Sequence, residues 1–195
     1  MESASAAAPS QARAEEVAAA ATELEAAGRL GLTRGFIQHG SVTVYDHVCA
    51  VARASLAVAD ALSRVGVRVA RDELLRGALL HDYFLYDWHE KEAWHRFHGL
   101  RHPFFARANA EQDFPDLTAR ERNIIERHMF PLVVLPPTCR EAWIVCLADK
   151  AVALRETLFQ RDGAAAGPTA ASRSAAAARA TARGAAVEPP REGLS

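Results

Sequence analysis

The sequence predicts an all-α protein, an irregular helical bundle of about six to seven helices, on three observations. Apolar residues recur at three- and four-residue spacing through most of 14–158. Helix-start and helix-stop signals punctuate that pattern. No apolar–polar alternation lasts more than a few residues, so no sheet is expected. Half of the 195 residues are apolar. That is enough for one core of about 130–160 residues, and too little chain for two comfortable domains. The expected organisation is a disordered tail over 1–12, one helical domain over 13–160 and a low-complexity tail over 161–195.

Each helix has its own warrant. Val17, Ala20, Ala21 and Leu24 share one face of a helix predicted over Ala14–Ala27, which Gly28 ends. Arg29–Gly40 reads as a connection and carries His39, near the site or simply exposed. A helix over Val42–Val65 puts Val44, His47, Val51, Ser55, Val58 and Leu62 on one stripe, so His47 faces the core. The next starts near Arg71 or Asp72 and runs to Asp82. Leu74, Ala78 and His81 form one of its stripes, and Leu75, Leu79 and Asp82 the adjacent one. Glu90–Phe97 is predicted as a short helix after an aromatic loop, Tyr83–Trp88. His98 and His102 follow, and Pro103 suits the first turn of a helix over 103–113. Thr118 with Glu121 makes a capping box for a helix over 119–129, which carries Ile124, Ile125 and His128. Thr138 with Glu141 makes a second box. In the helix after it, Ile144, Leu147, Ala151, Leu154 and Leu158 form the predicted inward stripe, with Asp149 on its flank. Beyond Arg161 the chain is mostly Ala with Gly, Pro, Arg, Ser and Thr, a composition that packs no core.

Bulk chemistry excludes several functions. Lys and Arg number 23 against 24 Asp and Glu, a net charge of −1 with no basic stripe, so no dedicated nucleic-acid partner is expected. Cys49, Cys139 and Cys146 match no metal-ribbon or CxxC spacing and read as free thiols of a reducing compartment. The first residues lack the basic and apolar regions of a secretory leader. No stretch approaches the ~20 apolar residues of a membrane span. A soluble, cytoplasmic protein without a membrane partner is expected, and the sequence prescribes no oligomeric state.

The informative residues are His81 and Asp82. Both continue apolar stripes into the core, and burying them without partners would cost several kcal/mol. A divalent cation removes that cost. Partners come from other segments: His47, His102, His128 and Asp149. The intervals of 34, 21, 26 and 21 residues (81 − 47, 102 − 81, 128 − 102, 149 − 128) are about one helix and connection each. One histidine on an apolar face is more often a hydrogen-bonded core residue than a ligand. A set that includes a buried Asp is not read that way. Imidazole and carboxylate suit Fe, Mn, Zn, Co or Mg. Six ligands exceed what one catalytic ion needs, so two ions ~3.5–4 Å apart are expected. His47, His81, Asp82 and Asp149 would form one site, and Asp82, His102 and His128 the other, with Asp82 as the bridge.

The order His47, His81–Asp82, Asp149 resembles the HD superfamily of metal-dependent phosphohydrolases, whose signature is H…HD…D on a helical bundle. His102, followed by Pro103, and His128 are similar to the extra histidines of its dinuclear members. The resemblance spans about residues 40–158 and is greatest to small stand-alone bacterial members. Two departures stand out. Tyr83 and Phe84 follow His-Asp where many relatives have Ile-Gly. Met129-Phe130-Pro131-Leu132 follows His128 where cyclic-dinucleotide phosphodiesterases have Gly-Tyr-Pro. The resemblance implies hydrolysis of a phosphoester, of a nucleotide or another small phosphorylated metabolite, by a metal-activated hydroxide. Whether monoester or diester stays open. Asp82 would be catalytic as the bridge. Lys150 would contact phosphate and share in catalysis, or stand as a solvated helix lysine; His98 would protonate the leaving group or support His102; and Arg101 would be a second phosphate contact. Trp88 and Tyr83 read by default as core or loop packing, with walling the pocket as the alternative. The alternatives are a di-iron oxygenase of the same ligand pattern and a non-catalytic, metal-stabilised ligand-binding bundle.

Overall fold

The computed structural model describes residues 3–88 and 98–163, with side chains over 8–88 and 98–158. The predicted helix Glu90–Phe97, and the C-terminal tail from residue 164, lie outside the described residues. The elements run α1 (Ser3–Ala27), a 3-10 helix (Leu30–Gly35), β1 (Ile37–His39), β2 (Val42–Thr43), α2 (Val44–Arg64), α3 (Arg71–Leu80), α4 (His98–Asp113), α5 (Ala119–Arg127) and α6 (Arg140–Gly163). The fold is all-α. Its α1 begins well before the expected Ala14, in a stretch rich in alanine, the best helix former.

The connection Arg29–Gly40 is more ordered than expected. It contains the 3-10 helix and an antiparallel hairpin, β1–β2, turned at Gly40, whose φ is 52°. Strands of three and two residues are too short for alternation to register in a sequence. The hairpin takes Val42 and Thr43, so α2 starts at Val44 with Thr43 as cap, its hydroxyl accepting from the Asp46 N–H at 3.1 Å.

α2 is the central helix and packs on α3 and α6, while α5 packs on α3, α4 and α6. Val44, His47, Val51 and Ser55 point inward as predicted, but Val58 does not. The 3.6-residue period carries the buried face from Ser55 to Ala59 instead. α3 and α5 approach closely at Gly77. A Cβ there would lie 2.5 Å from Cδ1 and 3.1 Å from Cβ of Ile124. That approach sets the ends of both helices, and the histidines on them, side by side.

Two expectations for α6 fail. The first is the inward stripe. Ile144 is buried, but Leu147, Leu154 and Leu158 are exposed, as is Ala151. The buried face is Ala142, Val145, Ala148 and Asp149. Both faces of α6 are apolar enough to satisfy a periodicity argument, so periodicity alone cannot choose between them. The second is the capping box. Glu141 turns away from Thr138, accepts from the Ala70 N–H at 2.9 Å and pairs with Arg120 Nε at 3.1 Å. Thr138 instead exchanges hydrogen bonds with Asn123. The Thr118–Glu121 box is present as predicted.

Burial pushes the Glu141 carboxyl up, but the Ala70 N–H, its own backbone N–H and Arg120 outweigh it and hold it below its ordinary value. A depressed carboxylate stabilises above its unfolded pKa, and that contribution is lost as pH falls through the folded value. Glu141→Gln is expected to cost about 1–2 kcal/mol at pH 7. The deficit should shrink below about pH 4 in urea unfolding curves.

Cys49, Cys139 and Cys146 are free thiols. Among the described residues, no helix is long and apolar enough to cross a membrane.

Candidate metal centre

Five segments converge. His47 comes from α2, His81 and Asp82 from the end of α3, His102 from α4, His128 from the end of α5 and Asp149 from α6. None of the six is more than 8% exposed, so all need partners inside the protein.

His81 and Asp82 lie just past the last residue of α3, not inside it as expected, and His128 stands in the same relation to α5. Their backbones stay helical (φ −61° at His81, −62° at His128), so each ring folds back over its last turn. The carbonyls of a last turn have no helical partner. His81 Nδ1 donates to Ala78 O at 2.7 Å, and His128 Nδ1 donates to Ile125 O at 2.7 Å. His102, inside α4, donates from Nδ1 to His98 O at 3.0 Å. A carbonyl only accepts, so Nδ1 carries the hydrogen in all three. In the neutral tautomer each Nε2 then presents a lone pair to the centre, as a metal ligand must.

Asp82 stands between two groups. Its Oδ1 lies 3.1 Å from His102 Nε2 and 3.4 Å from His128 Nε2. Its Oδ2 lies 3.5 Å from His81 Nε2 and 3.9 Å from His47 Nε2. Asp149 Oδ1 joins the second group, 3.1 Å from His47 Nε2 and 3.8 Å from His81 Nε2. The ligand atoms of His47, His81 and Asp82 fall within 4.8 Å of one another, as do those of Asp82, His102 and His128. His81 Nε2 and Asp82 Oδ1 are buried without a hydrogen bond. His102 Nε2 and His128 Nε2 are 2.9 Å apart with their other nitrogens already donating. Orphaned buried acceptors facing one another are costly unless a cation fills the space between them. The donor set fits a divalent metal.

The charges are unequally distributed. Burial alone would lower the pKa of His47, but its hydrogen bonds to Asp149 and to Glu156 raise it to about 10. Burial takes His81 down to about 4. Burial opposes ionisation of Asp82, but His81 and His102 hold it well below the usual carboxylate range. Asp149 falls to about 2 against the effect of burial, chiefly through its hydrogen bond with His47. Without metal, His47 is therefore an imidazolium between two carboxylates. A metal at its Nε2 must displace that proton.

Three residues around the centre escape a motif search. Glu156 Oε2 accepts from His47 Nδ1 at 2.9 Å. Its signal was available, since it follows Asp149 by seven residues (156 − 149), two turns along the same face. Gln38 donates from Nε2 to Asp82 Oδ2 at 2.8 Å, but it comes from the unexpected hairpin. Tyr86 Oη and His98 Nδ1 share a hydrogen bond of 2.9 Å, and burial raises the Tyr86 pKa so that its hydroxyl keeps its proton.

The other predicted residues divide. His98 stacks on His102 (4.7 Å between ring centres) and Trp88 stacks on His98 (5.0 Å). With His39 and Lys150 they line a cavity of about 940 Å³ that opens on Asp82, His102, His128 and Asp149. Lys150 donates to His128 O at 2.7 Å and to Cys146 O at 3.2 Å. Arg101 is not among the described residues lining the cavity, and its guanidinium lies 5.3 Å from the Phe105 ring centre. Tyr83 is a core residue rather than a pocket wall, donating to Asp113 and accepting from the Arg29 N–H.

A family model described as HD domain matches residues 44–154, more than half of the chain and all six candidate ligands. No curated protein and no solved structure matches. Members of that family are generally metal-dependent phosphohydrolases, in keeping with the buried His and Asp groups able to hold a metal. The match spans the segments that bring the six candidate ligands together, and the chain belongs to the HD domain family.

Proposed function

We propose that the protein is a phosphohydrolase working with two divalent ions. One would be held by His47, His81, Asp82 and Asp149, the other by Asp82, His102 and His128. The observation that carries the reading is the pair of Asp82 oxygens, each turned to a different set of imidazole Nε2 atoms. When bound, the ions would supply Lewis-acid polarisation of a phosphoryl oxygen and a nucleophile at neutral pH.

The chain's own residues do the rest. Three backbone carbonyls hold the His81, His102 and His128 rings in the ligating tautomer. Glu156 orients His47. His98 stands at the cavity with its Nδ1 engaged by Tyr86, and its imidazole would hold or give the proton that a leaving alkoxide requires. Lys150 lies at the cavity edge, beside Asp149. Its ammonium would have to exchange a carbonyl partner to meet phosphate.

Metal content of freshly purified protein, with turnover of a phosphomonoester and phosphodiester panel under Mn²⁺, Fe²⁺ and Co²⁺, tests the reading. About two ions per chain and release of phosphate or of a phosphomonoester are expected. Protein that neither carries nor takes up metal would sink it. His102→Ala separates the sites: one ion per chain should remain, held beside His81, with turnover down about 10²-fold or more. Loss of both ions together would contradict the division.

A further inference from the structure

The cavity beside the metal centre is chemically two-sided. Its floor is the ligand set. Among the described residues, its lining away from that floor includes the apolar Trp88, Met129, Pro131, Leu132 and Ala153. Leu132 is 54% exposed, a large apolar residue left on the rim. Its Cδ2 lies 3.2 Å from where a Cβ on Gly99 would stand, so the rim closes on α4 where α4 has no side chain. Trp88 is held by its indole N–H, which donates to Ile37 O at 3.1 Å, and by its stack on His98.

Among the described lining residues away from the floor, the polar ones are Gln38, His39, His98 and Lys150; Gln38 already donates to Asp82, and His98 shares a hydrogen bond with Tyr86. Among the described lining residues the one lysine is Lys150, whose ammonium already serves two carbonyls. A sugar or charged chain placed against these walls would lose water and find few partners. A small polar phosphoester would leave most of about 940 Å³ unfilled. An apolar body would exchange water for Trp88, Met129 and Leu132 at no polar cost.

We propose that this cavity selects a phosphoester whose organic group is bulky and apolar, with phosphate on the metal centre and the organic group against Trp88, Met129 and Leu132. The inference rests on the phosphohydrolase reading for its phosphate end and on the cavity walls for the rest.

The test uses the full chain, metal-loaded, and reads binding rather than turnover. Methyl-, 2-hydroxyethyl- and 1-naphthylphosphonate, which contain no ester bond to hydrolyse, are titrated by calorimetry. The naphthyl compound is expected to bind at least about tenfold more tightly than either small one. Met129→Ser with Leu132→Ser should narrow that ratio to about threefold or less. Circular dichroism and metal content establish that the double variant is folded and loaded. If all three phosphonates bind the wild-type protein equally, the inference falls and the phosphohydrolase reading stands. An undiminished ratio in the folded double variant also overturns it. If a metal-loaded protein binds none of them, the phosphate end is wrong and both readings fall.

Discussion

Asp82→Asn is expected to leave the protein with at most one ion and to reduce phosphoester turnover at least about 10³-fold. Among the described residues no other has one oxygen in each ligand group, Oδ1 toward His102 and His128 and Oδ2 toward His81 and His47. An amide has the shape of the carboxylate but no charge and only one good acceptor. It can face one group and not both. The substitution preserves volume in a site only 2% exposed, which separates metal loss from collapse of the core. Ions per chain after gel filtration, with a thermal unfolding curve of the metal-free protein, are the measurements. A folded Asp82→Asn protein that keeps two ions would show that Asp82 does not join the sites.

Glu156→Gln should change how metal uptake depends on pH. In the metal-free protein His47 has its pKa raised to about 10 by Asp149 and Glu156 against the effect of burial. Below that value, metal at Nε2 must expel a proton. Wild-type affinity should rise with pH and level off only near the His47 pKa. The glutamine can still accept from Nδ1–H but carries no charge, so the His47 pKa falls and the levelling-off moves to lower pH. At that plateau the variant should bind about 10–100-fold more weakly, the usual cost of losing a carboxylate behind a ligating histidine. Near neutral pH, easier loss of the proton offsets part of this deficit. Calorimetric titration in two buffers of different ionisation enthalpy counts the protons released, and the variant should release fewer. A metal-free stability measurement follows the same sign. A raised histidine stabilises fully below its unfolded value of about 6.5, and the contribution disappears as pH climbs towards its folded value. That high-pH decline should end at lower pH, and be smaller in total, in Glu156→Gln. Superimposable wild-type and variant pH profiles would remove Glu156 from the site.

The six candidate ligands were legible because burial makes polar residues conspicuous. A His–Asp pair that continues two apolar stripes demands a partner, and helix-length spacing brings the other four within reach. The motif could not display what surrounds them. Glu156 sits two turns from Asp149 on a helix whose outward leucines made the stronger apolar stripe, and that stripe drew the inward face to the wrong side. Gln38 comes from a five-residue hairpin (three and two) whose pairing depends on a turn rather than on local propensity. Tyr86 and His98 meet although twelve residues apart in sequence (98 − 86), a proximity that no local pattern encodes.

Residue type and spacing alone were enough for the fold class, for a set of candidate ligands that the fold brings together, and for the order in which helices deliver them. Each of these depends on local periodicity and on the cost of burying charge, both written along one dimension. The tertiary arrangement settled which face of α6 is wet, that His81, Asp82 and His128 lie just beyond helix ends, and that unpaired last-turn carbonyls fix the ring tautomers. It also settled that Trp88, Met129, Pro131 and Leu132 line the same cavity as the candidate ligands. Those depend on which segments meet, through contacts such as Gly77 against Ile124, and no single stretch of chain contains them.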